Sequence, residues 1–216
     1  MHFTCFLIQR QTESLGKSKI GGARRLRLHN LAMASLHCPA EDSLLVVVDI
    51  QPSFMAAIHE ADRVVKRSSF LVDCARTLNL PVVSTVQYPE RMGGFDPTIA
   101  SRLIDEPFPK MAFSCCGSTG FREAIKSSGK GNIVLVGIET HICVTLTALD
   151  LLESGLRVFV CPDAVSARTV EMHKLGMERM RDSGAVASHT ETLVYEWMGS
   201  AEHPKFRDVL SLVKGA

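Results

Sequence analysis

The 216-residue sequence has no apolar run approaching a membrane span, no excess of charge of either sign, no regular cysteine spacing and no metal-ligand motif. Each absence removes a class of function. Crossing a bilayer takes about 20 consecutive apolar residues, so the chain reads as soluble, with no membrane partner. A net charge of +1 gives no general electrostatic drive toward nucleic acid. The seven cysteines, at positions 5, 38, 74, 115, 116, 143 and 161, are odd in number and irregular in spacing. They do not make a disulfide framework, and a reducing, cytoplasmic setting is expected. The eight histidines form no close pair and Cys115-Cys116 lacks the spacing of a zinc knuckle, so neither a metal site nor a cofactor is expected. No internal repeat or low-complexity segment is present.

The charge asymmetry that does exist sits at the N-terminus. Residues 1–33 hold Arg10, Lys17, Lys19, Arg24, Arg25 and Arg27 against Glu13, a local balance of +5, which leaves −4 on the remainder. A basic, acid-poor, serine-containing start suits a transit peptide to the mitochondrion or another organelle, a disordered arm, or sequence upstream of a start at Met33. The apolar stretch Phe3 to Ile8 is too short for a secretory signal. The expected organisation is an N-terminal extension over residues 1–40 and one domain over 41–216, which 46% hydrophobic content is ample to pack around a single core.

From Leu44 onward, short β-branched runs alternate with amphipathic stretches. Strands are predicted at Leu44–Ile50, Pro81–Gln87, Met111–Ser114, Ile133–Val136, Arg157–Cys161 and Ala185–Ser188. Helices are predicted at 62–78, 98–104, 119–127, 140–152, 169–183, 190–198 and 204–214. The strands at 44–50 and 133–136 are continuous apolar runs without alternation, as expected when both faces are covered. Six such strands separated by helices predict an α/β, three-layer, doubly wound fold with a six-stranded parallel sheet, in order 3-2-1-4-5-6.

In that order the first and fourth strands are neighbours where the winding reverses, the place at which open sheets bind ligands. Asp49 closes the first strand and Cys143 follows the fourth, so the topology predicts that carboxylate and thiol share a crevice. Cys143 sits about one turn into a helix for which Thr140 is the expected N-cap. The helix N-terminus there favours the thiolate, making Cys143 a candidate nucleophile, although a small apolar residue at a helix–sheet contact would look the same. Asp49 suits a proton acceptor or a loop-anchoring acid. Lys110 by itself suits a snorkelling surface residue.

Together, the Asp49-Ile-Gln-Pro-Ser-Phe54 strand end, the lysine of Phe108-Pro-Lys110 and the turn Gly137-Ile-Glu-Thr-His-Ile-Cys143 closely resemble the isochorismatase-like cysteine hydrolase family, over residues 42–214. The style is that of its small isochorismatase domain-containing hydrolases. The resemblance implies an Asp-Lys-Cys triad at Asp49, Lys110 and Cys143, and a non-proline cis peptide between Ile138 and Glu139. It also implies an oxyanion hole from the backbone N–H groups of Glu139 and Cys143. The implied reaction is amidase-like acyl transfer through a thioester, on a small amide, N-carbamoyl or related C–N substrate.

Nicotinamidase-type relatives carry an Asp-x-His metal segment where this chain reads Val86-Gln-Tyr-Pro-Glu90, and true isochorismatases lack the nucleophilic cysteine. Phe54, Gln87, Tyr88, Phe113 and Thr140 are the candidate substrate-binding residues, and His141 reads as a helix-start residue rather than a base. Family members commonly assemble as homo-oligomers, from dimer to octamer. Two other readings start from the same residues: a non-catalytic oligomeric scaffold with a redox-sensitive cysteine, and RNA binding through the basic tail.

Overall fold

The computed structural model describes residues 36–216, so the basic segment 1–33 and the readings attached to it lie outside the described residues. The elements run β1 Ser43–Val48, α1 Pro52–Met55, α2 Ala61–Thr77, β2 Val82–Gln87, α3 Pro89–Met92, α4 Pro97–Ala100 and β3 Phe108–Lys110. They continue with α5 Thr119–Ser128, β4 Asn132–Ile138, a π-turn over Thr140–Val144, α6 Thr145–Glu153, β5 Arg157–Ser166, α7 Val170–Asp182, β6 Val186–Ala187, α8 Thr190–Met198 and α9 Phe206–Gly215. The six strands form one parallel sheet in the order β3-β2-β1-β4-β5-β6, as the strand pattern predicts.

β1 is buried along its whole length because the sheet carries a separate core on each face. Leu45 and Val47 point into one core with Leu71, Cys74, Leu193, Trp197 and Val209 from α2, α8 and α9. Leu44, Val46 and Val48 point into the other with Phe121, Ala148, Leu151, Met177 and Met180 from α5, α6 and α7. A side-chain period of two on a strand covered on both sides leaves no polar position, which is why the run Leu44 to Val48 is wholly apolar.

Four local expectations need correction. The third strand is Phe108–Lys110 rather than 111–114, pairing Thr85 with Phe108 and Gln87 with Lys110. It is an edge strand, where Pro109 is tolerated, and Met111 and Phe113, whose apolar character suggested a strand, are exposed at 65% and 60%. The helix expected at 98–104 stops at Ala100. β5 runs on to Ser166 because a register shift between Leu135 and Gly137 absorbs the Pro162-Asp163 segment and pairing resumes at Gly137 and Val165. Thr140 caps nothing: the chain enters a π-turn there, and the Thr140 hydroxyl contacts His173 Nδ1 at 3.0 Å.

Domain packing begins before residue 41, since Cys38 is buried and its N–H donates to Glu196 on α8. Among the described residues no helix is long and apolar enough to cross a membrane.

Candidate functional site

The site grows from the C-terminal ends of β1, β2, β3 and β4. Val48, the last residue of β1, lies between Thr85 of β2 and Gly137 of β4. Gly137 has φ +114°, and a Cβ on it would lie 2.1 Å from the Val48 carbonyl oxygen. Only glycine lets the two central strands approach this closely at the point where the winding reverses. Asp49 then turns out of β1 at φ +49°, and Tyr88 leaves β2 in the same left-handed region, at φ +43°. Residues other than glycine held there cost about 1–3 kcal/mol each and cluster at functional sites.

The Asp49 carboxylate is 2% exposed. Its Oδ1 accepts from the Thr85 hydroxyl at 2.9 Å and its Oδ2 lies 2.7 Å from Lys110 Nζ. Lys110 is no snorkelling residue: its side chain has no exposed surface. The ammonium also donates to Gln87 Oε1 at 2.5 Å and to the Phe113 carbonyl at 3.0 Å, with the Ala112 carbonyl at 3.3 Å. An ammonium has three N–H donors, and these acceptors occupy them. Cys143 lines the same cavity as Asp49, and after desolvation the Asp49 charge is the largest influence on its thiol. The three residues, distant in sequence, are thus brought together around Asp49.

Burial raises the Asp49 carboxyl above its ordinary range, against the opposing pull of Lys110 and Thr85. Burial pulls the Lys110 ammonium down more than any single neighbour lifts it, but Asp49, Cys143 and Cys115 together outweigh it and the net shift is upward. Cys143 is pushed up to about 12, by desolvation first and the Asp49 charge second. The expectation that the helix N-terminus favours a resting thiolate is thus corrected. Cys143 lies within the π-turn beside a carboxylate, and burial and that charge both favour the neutral thiol. What rests here is a thiol beside an acceptor.

Asp49 and Cys143 line a cavity of about 250 Å³ together with Phe54, Gln87, Tyr88, Phe113 and Glu139, and Lys110 lies behind Asp49, outside the lining. The peptide bond between Ile138 and Glu139 is cis. The Glu139 carboxylate is paired with Arg168 Nε at 3.0 Å. Thr140, by contrast, does not line the cavity; it is fully buried against His173. The π-turn that carries Cys143 is seated on α7 at Gly176, where a Cβ would lie 2.8 Å from the His141 Cα, and it is fastened to α6 by the Thr145 hydroxyl, which donates to the Thr140 carbonyl at 2.6 Å.

Several contributors escape a reading of the sequence. Met92, Ile138 and Ile142 complete the wall. Gln51 is fully buried, accepts from the Gln87 N–H at 2.7 Å and donates to the Gly93 carbonyl at 2.6 Å, so it ties the end of β2 to the loop that carries Met92. Thr85 could have been found from topology, since the strand order sets β2 beside β1. Gln51 carries a weaker signal, an uncharged polar residue directly after an apolar strand. Among the described residues no group of three His, Cys, Asp or Glu could hold a metal ion.

A doubly wound parallel sheet with a buried carboxylate and thiol facing one cavity beyond its central strands is an arrangement of the α/β class, whose ligands bind at that place. Comparison with known proteins supplies the family. The isochorismatase domain matches residues 43–192, and the chain belongs to the isochorismatase family of hydrolases. It is 35% identical over 177 residues to the secreted isochorismatase effector Isc1 of Phytophthora sojae, covering 80% of this chain and 84% of that protein. The structure of MAR1 ribonuclease from Caenorhabditis elegans superimposes with a TM-score of 0.78 at 34% identity, covering 82% of this chain and 92% of that one. The fold is shared with the YcaC gene product of Escherichia coli, described as an octameric hydrolase of unknown specificity, at TM-score 0.74 and 22% identity, over 84% of this chain and 98% of that one.

Proposed function

We propose that this protein is a cysteine-dependent hydrolase that cleaves the C–N bond of a small amide, N-carbamoyl compound or related acyl derivative through a thioester. The observation that supports it most is the central carboxylate: Asp49 and Cys143 line one small cavity, and the buried Lys110 ammonium lies 2.7 Å from Asp49 Oδ2. In the proposed sequence Asp49 accepts the thiol proton as Sγ attacks the carbonyl carbon, and the oxyanion is received by the N–H groups of Glu139 and Cys143. Collapse breaks the C–N bond, and the amine leaves with the proton that Asp49 returns. Asp49 then deprotonates a water that attacks the thioester, releasing the acid and restoring the thiol. An acceptor with a raised pKa suits this cycle, because proton transfer is most efficient when the pKa lies near the working pH.

The readings that accompany this one are a homo-oligomer, for which the exposed Met111 and Phe113 provide apolar surface, and a cytoplasmic location, which suits the six unpaired cysteines of the described residues. The test is ammonia release from a panel of small amides and carbamoyl compounds by the wild type and by Cys143→Ser. Turnover that falls at least about 10³-fold in a folded, normally assembled variant supports the reading. Turnover that survives the change, or cleavage of an RNA oligonucleotide in place of amides, overturns it. An inert wild type whose assembly responds to oxidation at Cys143 favours the scaffold reading.

A further inference from the structure

We infer that this site, taken as the C–N hydrolase proposed above, selects uncharged amides with a short apolar acyl group and rejects those bearing a carboxylate or phosphate near the scissile carbonyl. The argument rests on which charges face the cavity. Its ionisable lining residues are Asp49, Glu139, Cys143 and Tyr88, two acids, a thiol and a phenol, with no cation among them. Lys110 is the nearest buried cation, but its side chain has no exposed surface, and Asp49, Gln87 and two backbone carbonyls absorb its donors. Arg168 is paired through Nε with Glu139 and is not part of the lining.

An anionic substituent entering here would lose its hydration and find no free cation, since Lys110 and Arg168 are already engaged by Asp49 and Glu139. Burial of an unpaired charge is strongly unfavourable, and near like charges it is more so. An aliphatic group in the same position meets Phe54, Met92, Ile138 and Ile142, and gains from leaving water. A cavity of about 250 Å³ falls below the span of about 300–1,000 Å³ typical of drug-sized ligands, which limits the acyl group to a few carbons. A polynucleotide phosphodiester fails on both size and charge.

The test compares two amides of equal heavy-atom count, 3-methylbutanamide and malonamate, which differ by an isopropyl group in place of a carboxylate. With the full-length wild type, kcat/KM for 3-methylbutanamide should exceed that for malonamate by about 10²-fold or more, the scale at which a pocket rejects a mismatched polar group. Glu139→Gln should narrow the gap by freeing Arg168 from its carboxylate partner. Malonamate turned over as well as or better than 3-methylbutanamide overturns the inference, and loss of that activity in Arg168→Gln would assign the anion to Arg168.

A second measurement does not depend on turnover: alkylation of Cys143 by acrylamide and by acrylate, each rate divided by the rate with glutathione. In this addition the thiol proton passes to Asp49, the S–C bond forms at the terminal alkene carbon, and the displaced π pair takes the proton back at the neighbouring carbon. Acrylamide should be favoured by about 10-fold or more after normalisation. If no compound of the amide and carbamoyl panel is hydrolysed, the hydrolase reading fails and the alkylation ratio alone decides. A preference for acrylamide then upholds a site for neutral ligands, and equal rates or a preference for acrylate overturn it.

Discussion

Replacing Lys110 with Met keeps most of the side-chain volume and removes the ammonium. Asp49 is then left 2% exposed, with the Thr85 hydroxyl as its neutral donor, and the carbonyls of Phe113 and Ala112 lose their donor. Removing one partner of a buried ion pair costs about 3–5 kcal/mol. In a domain of this size that lowers Tm by about 10 °C. The cost has a pH signature. Burial already lifts the Asp49 carboxyl, and without the ammonium it rises further, so the folded variant takes up a proton that the unfolded chain, titrating near 3.9, does not bind until lower pH. The deficit relative to the wild type is therefore full above the raised folded pKa and shrinks as pH falls through it. Urea unfolding followed by circular dichroism between pH 5 and 8 measures this directly. The double variant Asp49→Asn/Lys110→Met removes both charges and should recover at least half the lost stability while remaining inactive. A loss below about 1 kcal/mol, the range of solvent-exposed pairs, or a double variant no more stable than the single, would refute the claim that this pair is buried and mutually dependent.

Three further outcomes follow from the same geometry. Gly137→Ala sets a Cβ 2.1 Å from the Val48 carbonyl oxygen at φ +114°, so β1 and β4 must separate; a loss of about 3–5 kcal/mol is expected, read as a Tm drop of about 10 °C. In kcat/KM against pH, activity should fall on the acid side through a pKa above the ordinary carboxylate value of 3.8, because Asp49 must be ionised to accept the thiol proton. On the alkaline side, alkylation of Cys143 should show no step near 8.5, the pKa of an unperturbed thiol, since its thiol is held up at about 12.

The sheet was legible because its central strands are buried on both faces, which writes an unbroken apolar run into the sequence at Leu44–Val48 and Ile133–Val136. The edge was not legible for the converse reason. β3 has three residues, one of them proline, while the neighbouring Met111 and Phe113 are apolar yet exposed. At the site, the meeting of Asp49 with Cys143 follows from strand order alone, whereas the burial of Lys110 depends on carbonyls of its own following loop, which no residue pattern encodes. The protonation state of Cys143 was misread because a helix N-terminus is visible in sequence and desolvation is not. Thr140 was misread because a π-turn carries the same hydroxyl residues as an ordinary helix start.

The position of β1 in the middle of the sheet bears on how the chain emerges from the ribosome. One neighbour, β2 at Val82–Gln87, follows soon after β1, but the other, β4, begins only at Asn132. Until that segment is synthesised, the most apolar strand of the protein has one open edge, and contacts spanning such a separation form slowly. A nascent chain stalled before Asn132 is therefore a natural client for chaperones, and release of the completed β4 is the event that retires it.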